Sequence, residues 1–339
     1  MIRERTITVE DADANSRLDR FVVQRTGSPR SLVLEALAAG RIRLNGRRAG
    51  KGDSLKAGDR VLIEELPEMD DVRVRPDAAV PVTVIYADAE LLAVDKPAGL
   101  PVHPLRLEEI GTLANGLVAR HPEMAALGDR PLMAGLVHRI DTDTSGVVLA
   151  ARTAAAFAAL RDQFRRHDVR KTYLALVHGL VPSPGEIRSH LVHDPTDRGR
   201  MVVLPDEPSE RGGRGSSRSA PTGPSARRRR RLEGEKPLLA VTAYQPVRQF
   251  PSPGPACTLL EVTIYTGVTH QIRCQLAAQG HPIVGDRTYG PAGPLDALLT
   301  RHFLHAAAIA FRHPSRGEHV RFESPLPAEL MAFVTHISS

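Results

Sequence analysis

The sequence has no tryptophan, only two cysteines, and few aromatic residues, which make up 4% of its 339 residues. So few aromatic side chains argue against a surface that stacks several nucleic-acid bases side by side. Cys257 and Cys274 are too few for a disulfide framework and form no C-x-x-C zinc pair. No apolar run approaches the roughly 20 residues that cross a bilayer, and the charged first twenty residues lack the apolar segment of a signal peptide. We therefore expect a cytoplasmic protein without a bound metal.

Positive charge is concentrated in two segments of a chain whose formal net charge is +6. Residues 17–60 contain eleven Lys or Arg against four Asp or Glu, a net charge of +7. Residues 206–236 contain nine against five, a net charge of +4. Charge that is clustered in this way indicates a polyanionic partner such as a nucleic acid.

The first basic segment has the pattern of a small folded unit. Apolar residues recur at helical spacing in 18–37 and predict two helices, the second capped at Ser31 and ending before Gly40. The Asn-Gly pair at 45–46 predicts a tight hairpin, and a further strand follows at 59–65. Taken alone, the charges of this unit are as consistent with a solvated face as with a phosphate-binding surface.

The order of residues in this unit resembles the S4 RNA-binding domain. The matching elements are Arg17-Leu18-Asp19, Ser28 to Arg30, Gly40-Arg41, Asn45-Gly46, Lys51 and Gly58-Asp59. The resemblance implies an RNA-binding domain over residues 1–68. Its positive face would position RNA through phosphate contacts of Arg17, Arg20, Arg30, Arg41 and Arg47.

The remainder of the chain divides into a linker and a larger domain. Residues 69–81, rich in Pro and Asp, are a predicted linker, and residues 82–335 are a predicted catalytic domain. Residues 206–236 interrupt that domain with Gly, Ser, Pro and Arg and with no apolar periodicity, so we expect a disordered insertion. Its arginine run at 227–231 is open to two interpretations, namely non-specific contact with RNA or no dedicated role.

The stretch "HRIDTDTSG" at 138–146 groups acids, hydroxyls and an arginine. Its letters overlap with three catalytic motifs. A kinase also needs a Gly-rich loop and a D-F-G segment, which the sequence lacks. An Asp-x-Asp phosphatase needs an uninterrupted apolar strand before its first aspartate, and an aspartic protease needs a second such aspartate. The sequence meets none of these requirements.

Together with its neighbours, this stretch resembles the signature of RluA-family pseudouridine synthases. Six elements follow the family's order over residues 82–330, apart from the insertion. They read "VDKPAGLPVHP" (94–104), "GLVHRIDTDTSGVVLAART" (135–153), "KTYLALVHG" (171–179), "HDPTDRGRMVV" (193–203), "YTGVTHQIRCQLAAQGHPIVGDRTYG" (265–290) and "LHAAAIAFRHP" (304–314). The resemblance implies an α+β protein in which the S4-like module precedes a catalytic domain built around a mixed, largely antiparallel sheet.

The resemblance also assigns roles to individual residues. Asp141 falls on the family's catalytic aspartate, and Arg273 on the cation that would keep this carboxylate charged. Tyr173 would stack on the flipped base and is a candidate to remove a proton, while Arg139 would fill the gap that the base leaves in the RNA. A carboxylate can attack C1′ of the nucleotide, or help to remove a ribose proton, without a metal or redox cofactor.

Other matched residues keep two interpretations. His138 is either an RNA contact or structural, and Lys96 either meets a phosphate or supports its loop; Lys171 is a further RNA-binding candidate. Residues 269–280 predict a helix with Thr269 as N-cap and Gly280 after its end. This helix would place Arg273 in its first turns.

Three positions depart from the family's usual residues. Val268 stands where Arg or Lys is common, Gln275 where a second His is common, and Asp95 where Asn is common. These departures are compatible with the chemistry, but they put an RNA contact at position 268 in doubt.

The sequence as a whole predicts a monomeric RNA pseudouridine synthase that needs no cofactor and no membrane. Its S4-like module fits the branch of the family that modifies large-subunit ribosomal RNA, free or in an assembling subunit. Two alternatives are a transfer-RNA-modifying enzyme of the same family and a catalytically silent RNA-binding or ribosome-assembly factor. The joint presence of Asp141, Tyr173 and Arg273 favours catalysis.

Overall fold

The computed structural model describes residues 2–66, 72–129, 132–197, 199–204, 237–251 and 255–338. They belong to two compact units, Met1–Val80 with His103–Gly135, and Pro81–Val102 with Leu136–Ser339. The predicted insertion at 206–236 lies outside the described residues. Within the ranges that are described, no helix is long and apolar enough to cross a membrane.

The described residues of the first unit form a four-stranded antiparallel sheet and three α-helices. The elements are β1 (Ile2–Thr8), α1 (Leu18–Thr26), α2 (Arg30–Ala38), β2 (Ile42–Leu44), β3 (Arg47–Arg48), β4 (Arg60–Leu66) and α3 (Leu113–Arg120). The strands follow the order β1-β4-β2-β3. Phe21 of α1, Val33 of α2 and Ile63 of β4 share one buried cluster, so the helices cover the sheet with their apolar faces.

The turns of this unit agree with the sequence except at one helix cap. Asn45 and Gly46 both have positive φ, 50° and 79°, as a type I′ hairpin between β2 and β3 requires. Gly40, with φ of 75°, follows the end of α2 as predicted. The prediction of Ser31 as N-cap is wrong, because α2 already begins at Arg30 and the extended Pro29 precedes it.

The described end of the predicted linker is partly packed, although most of its residues are exposed. Val72 and Val74 are buried, and the Val74 N–H donates to the Ala125 carbonyl. The Asp77 N–H donates to the carbonyl of Asn115, at the start of α3. The boundaries predicted from composition, at 68 and 81, stay predictions.

The second unit is built on one ten-stranded sheet. Its elements are β5 (Thr83–Ala87), β6 (Leu91–Lys96), β7 (Ser145–Ala151), α4 (Ala154–Arg166), β8 (Arg170–His178), β9 (Gly185–His193), β10 (Met201–Val203), β11 (Leu238–Phe250), β12 (Cys257–Ile264), α5 (Gln271–Ala278), α6 (Pro294–Ala297), β13 (Leu304–Arg312), β14 (His319–Glu323) and α7 (Ala328–His336). The order is β10-β9-β11-β12-β8-β13-β7-β6-β5, with β14 beside β13. Among the described strands, only β7 and β13 pair in parallel, so the sheet is mixed and largely antiparallel, as predicted.

The parallel pair positions the loop that carries Asp141. Gly146, in β7, has φ of 115°, and a Cβ at this residue would lie 2.2 Å from the Ala306 carbonyl oxygen of β13. Only glycine permits this close approach. As a result, the segment 141–145 lies against the residues that lead into β13.

Candidate active site

A carboxylate and a buried guanidinium form the centre of the site. Asp141 lies at the start of the loop before β7, and its side chain is 21% exposed. Its Oδ2 accepts a hydrogen bond of 2.9 Å from Nη1 of Arg273, in the first turn of α5. Charge-assisted pairs of this length are the strong ones. The structure thus brings together the two residues that the resemblance had paired.

Arg273 is fixed from its other side by a second carboxylate. Nε and Nη2 of Arg273 donate to the two oxygens of Asp286 at 2.7 and 2.9 Å, and Nη2 also donates to Thr288 Oγ1. Burial opposes the arginine's charge, but Asp286, and then Asp141, more than offset it and raise the arginine pKa. Asp286 is buried, and Arg273 holds the pKa of its carboxyl below the usual value. Arg273 therefore stays charged, and its guanidinium group stays oriented toward Asp141.

Asp286 received no role from the sequence, although it lies in the matched "GDRTYG" segment. The motif fixed its identity but not the direction of its side chain. Its partner lies thirteen residues earlier, on a different element. The signal that could have found it is an acid inside a matched motif, eight residues after the end of the helix that carries the arginine.

The helix that carries Arg273 begins one residue later than predicted. The prediction of Thr269 as N-cap is wrong, because His270 precedes α5 in the left-handed conformation, with φ of 54°. Its Nδ1 is 3.0 Å from the Tyr289 hydroxyl, and its Nε2 is 3.9 Å from Asp141 Oδ2. Gly280, with φ of 82°, follows the helix end as predicted.

Tyr173 lies on β8 and is buried. Burial, and then the negative charge of Asp141, raise the pKa of its phenol. The phenol therefore stays protonated at neutral pH, which does not support its role as a proton-removing base in the free protein. A neutral aromatic ring near Asp141 suits a base-stacking role.

The hydroxyls after Asp141 are held by two histidines. His302 Nε2 is 2.8 Å from Thr144 Oγ1, and His305 Nδ1 is 2.9 Å from Ser145 Oγ. Burial, and then the charge of Arg273, lower the pKa of His302 to about 4, so its imidazole is neutral at neutral pH. These contacts hold the Asp141 loop against the start of β13.

Lys96 supports the same loop rather than meeting a phosphate. Its side chain is completely buried, and Nζ donates to the carbonyl oxygens of Pro97, Leu100 and Thr142 at 2.7 to 2.9 Å. The Gly99 N–H donates to the same Thr142 oxygen. Of its two interpretations, the geometry favours loop support, because an ammonium group that is surrounded by carbonyls presents no donor to solvent.

Lys171 and His138 are also engaged within the protein. Lys171 is buried and donates to the Thr266 carbonyl at 2.6 Å, so the structure does not offer it to RNA. His138 Nε2 accepts the Leu149 N–H at 2.9 Å, and its ring stacks on Phe164. For His138 the geometry favours the structural interpretation.

Arg139, by contrast, is exposed beside Asp141, as a residue that enters RNA has to be. In the first unit, Arg20 and Arg47 are exposed as well. The other three arginines of that predicted surface are partly occupied. Arg17 and Arg30 donate to the buried carboxylate of Asp19, whose pKa they lower against the effect of burial, and Arg41 donates to the Glu65 carbonyl.

The three departures from the family pattern have structural explanations. Val268 packs against the apolar cluster that includes Met201 and Cys274, so a charge is not needed there. Gln275 is buried, accepts a hydrogen bond from Thr242 Oγ1 and donates to Ser189 Oγ. Asp95 accepts a hydrogen bond from the Ser324 hydroxyl.

This geometry is typical of a site for covalent or proton-transfer catalysis. A partly exposed carboxylate, paired with a locked cation and close to a buried neutral phenol, is suited to nucleophilic or proton-transfer chemistry on a carbon centre. No group of three or more metal-ligating side chains occurs among the described residues.

Comparison with known proteins gives the same class and makes it specific. Residues 90–278 match the family of RNA pseudouridylate synthases, and residues 16–61 match the S4 domain. The chain belongs to the RNA pseudouridylate synthase family and is therefore an isomerase that acts on RNA.

Individual relatives extend over nearly the whole chain. A ribosomal large subunit pseudouridine synthase D of Xanthomonas campestris is 34% identical over 98% of this chain and 92% of its own length. A protein of the same name from Xylella fastidiosa is 35% identical over 96% of this chain and 90% of its own length. The solved structure of human RNA pseudouridylate synthase domain containing 4 shares the fold, with 23% identity, a TM-score of 0.53, and coverage of 76% of this chain and 93% of its own.

Proposed function

We propose that this enzyme converts specific uridines of large-subunit ribosomal RNA to pseudouridine, with Asp141 as the reacting carboxylate. Two observations support the substrate, namely the S4 match at 16–61 and the names of the two bacterial relatives. The ion pair between Asp141 and Arg273 is the observation that carries the chemistry.

The reaction breaks the bond between N1 of the base and C1′ and then joins C5 to C1′. The target base first has to leave the RNA stack, which costs a few kcal/mol. In our proposal Arg139 occupies the vacated place and Tyr173 stacks on the flipped base. Asp141 then attacks C1′ or helps to remove a ribose proton. Reactant and product have the same atoms and oxidation state, so no redox cofactor is required.

Arg273 gives Asp141 its reactivity in this proposal. A carboxylate in a site that a nucleotide closes off from water tends to take up a proton unless a cation is fixed beside it. Arg273 is preorganised by Asp286 and does not need to move into place as the RNA binds. Fixed charges of this kind act at no reorganisation cost during the reaction.

The experiment offers the purified protein unmodified large-subunit ribosomal RNA and unmodified transfer RNA, then maps pseudouridine in each. We expect modification at discrete sites of the ribosomal RNA. Modification of transfer RNA alone would identify the other branch of the family, and no modification of either RNA would indicate a silent RNA-binding factor.

A matched pair of variants tests the residue assignment. Asp141→Asn removes the proposed reacting group, whereas Asp143→Asn makes the same change two residues away, on an exposed side chain. We expect the first variant to be inactive and the second to remain close to wild type. Equal activity of Asp141→Asn and wild type would refute the assignment. We also infer that the enzyme is a cytoplasmic monomer, which sedimentation of the purified protein tests in part.

A further inference from the structure

His270 is a titratable residue beside Asp141, and it has no role in the reaction proposed above. Its side chain is 18% exposed, and its backbone holds the left-handed conformation at φ of 54°. For a residue other than glycine, such a conformation costs about 1–3 kcal/mol, and residues of this kind cluster at functional sites. In this conformation Nε2 of the imidazole lies 3.9 Å from Asp141 Oδ2.

A chain of hydrogen bonds supports one tautomer of this imidazole. The Tyr289 hydroxyl oxygen accepts the Met201 N–H at 2.8 Å, so its own proton is free to be donated onward. His270 Nδ1 lies 3.0 Å from this hydroxyl, so the phenol proton can be donated to this ring nitrogen. Burial raises the pKa of Tyr289 to about 12, so the phenol retains the proton that it donates.

With Nδ1 as an acceptor, the proton of the neutral ring lies on Nε2. Burial, and then the charge of Arg273, lower the pKa of His270, so the ring is neutral at neutral pH. The Nε2–H faces Asp141 Oδ2 at 3.9 Å, beyond hydrogen-bond length. The Nε2–H group therefore faces the reacting carboxylate but forms no hydrogen bond with it.

We propose that the Nε2–H of His270 donates a hydrogen bond to the uracil as it leaves C1′, which makes His270 a further catalytic residue of the reaction proposed above. When the bond between N1 and C1′ breaks, its electron pair stays with the base, and an Asp141 oxygen forms the new bond to C1′. The uracil becomes anionic next to Asp141, within reach of Nε2. His270 transfers no proton in this step; it stabilises charge that develops only in the transition state.

The test uses three histidine variants. His270→Asn leaves no donor at the position of Nε2, because the asparagine side chain is too short, and it retains a residue that tolerates the left-handed backbone. His270→Gln reaches further and returns an N–H near the position of Nε2. His167→Asn is the matched control, because His167 also has positive φ, 62°, but is exposed at the end of α4.

The first readout is the single-turnover rate on the ribosomal RNA transcript that wild type modifies. We expect His270→Asn to lower the single-turnover rate constant at saturating enzyme by about 100-fold, the usual loss of one oxyanion-type donor, with little change in the enzyme concentration that gives half of this rate. Gln should recover part of the rate, and His167→Asn should resemble wild type. An unchanged rate in His270→Asn would overturn the proposal.

The second readout separates stabilisation of the leaving base from mere positioning of Asp141. A transcript that contains 5-fluorouridine carries a base that leaves as a weaker base and needs the donor less. The rate loss of His270→Asn in glycosidic cleavage should then shrink to about tenfold. An equal loss on both RNAs would overturn the proposal in favour of a positioning role.

Folding and function are kept apart in this design. Thermal unfolding shows whether His270→Asn folds. If it does not fold, Tyr289→Phe replaces it. This variant removes the hydroxyl that supports the proposed tautomer and keeps the aromatic ring that the guanidinium groups of Arg200 and Arg273 contact. It should show a smaller loss with the same dependence on the leaving base, and wild-type behaviour would overturn the proposal. Failure of wild type to make pseudouridine would instead refute the proposed function.

Discussion

Replacing Asp286 with asparagine should weaken the contacts that hold the Arg273 guanidinium group in place. Oδ1 of Asp286 accepts three hydrogen bonds, from Arg273 Nη2 and from the N–H groups of Thr288 and Tyr289. Oδ2 accepts one, from Arg273 Nε at 2.7 Å. An asparagine would keep its oxygen on the side with three donors. Its NH₂ group would then face the Arg273 Nε–H, so two donors would meet.

The magnitude follows from what this substitution removes. A hydrogen bond to a charged group contributes about 1.5–3 kcal/mol, and breaking a buried ion pair at one partner costs about 3–5 kcal/mol. Because the bonds to Oδ1 survive, we expect a loss of about 3 kcal/mol in the free energy of unfolding. Misplacement of Arg273 should also lower the single-turnover rate constant by about 10- to 100-fold, since small errors in position are costly in rate.

Urea unfolding and single-turnover kinetics test both effects. Thr288→Val is the graded control, because it removes one neutral acceptor of Arg273, at 3.1 Å, and should cost only about 1 kcal/mol. If Asp286→Asn matched wild type in both stability and rate, Arg273 would not depend on Asp286, and the reasoning would be wrong.

Two other predictions concern pH and the insertion. The pKa of His302 is about 4 in the folded protein, against an ordinary value of 6.5. Between these two pH values the unfolded state binds more protons than the folded state. The free energy of unfolding of wild type should therefore fall by up to about 3 kcal/mol as the pH falls from 6.5 to 4. Urea titrations should show a shallower loss in His302→Gln but not in His319→Gln, an exposed control; parallel curves would contradict this. Deleting Glu207–Glu235 should leave the unfolding temperature unchanged, because β10 and β11 flank the same strand and their facing ends are about 10 Å apart. A large drop would reveal an ordered element in the deleted segment.

The sequence predicted those parts of the fold that depend on local chemistry. The hairpin at 45–46 follows from backbone preferences of Asn and Gly, and helix ends at Gly40 and Gly280 follow from glycine's access to positive φ. Helix starts were less accurate, since Pro29 and His270, not Ser31 and Thr269, precede the first helical residues.

The sequence predicted the pairing of Asp141 with Arg273 but not the residues that support this pair. Ordered motifs paired Asp141 with Arg273, and the structure places them 2.9 Å apart. The burial of Lys96 could not be read from the sequence, because its three acceptors are backbone carbonyls of two separate loops. The roles of Asp286 and His302 likewise depend on tertiary geometry, which no local pattern encodes.

Loss of the C5 hydrogen tests the central claim most directly, since every uridine that becomes pseudouridine must give it up. Ribosomal RNA labelled with tritium at C5 of uridine should release its label to water with wild-type protein and with Asp143→Asn. Asp141→Asn should release none above background. Release by Asp141→Asn at the wild-type rate would contradict the account, because the chemistry would then not depend on the carboxylate that Arg273 holds in place.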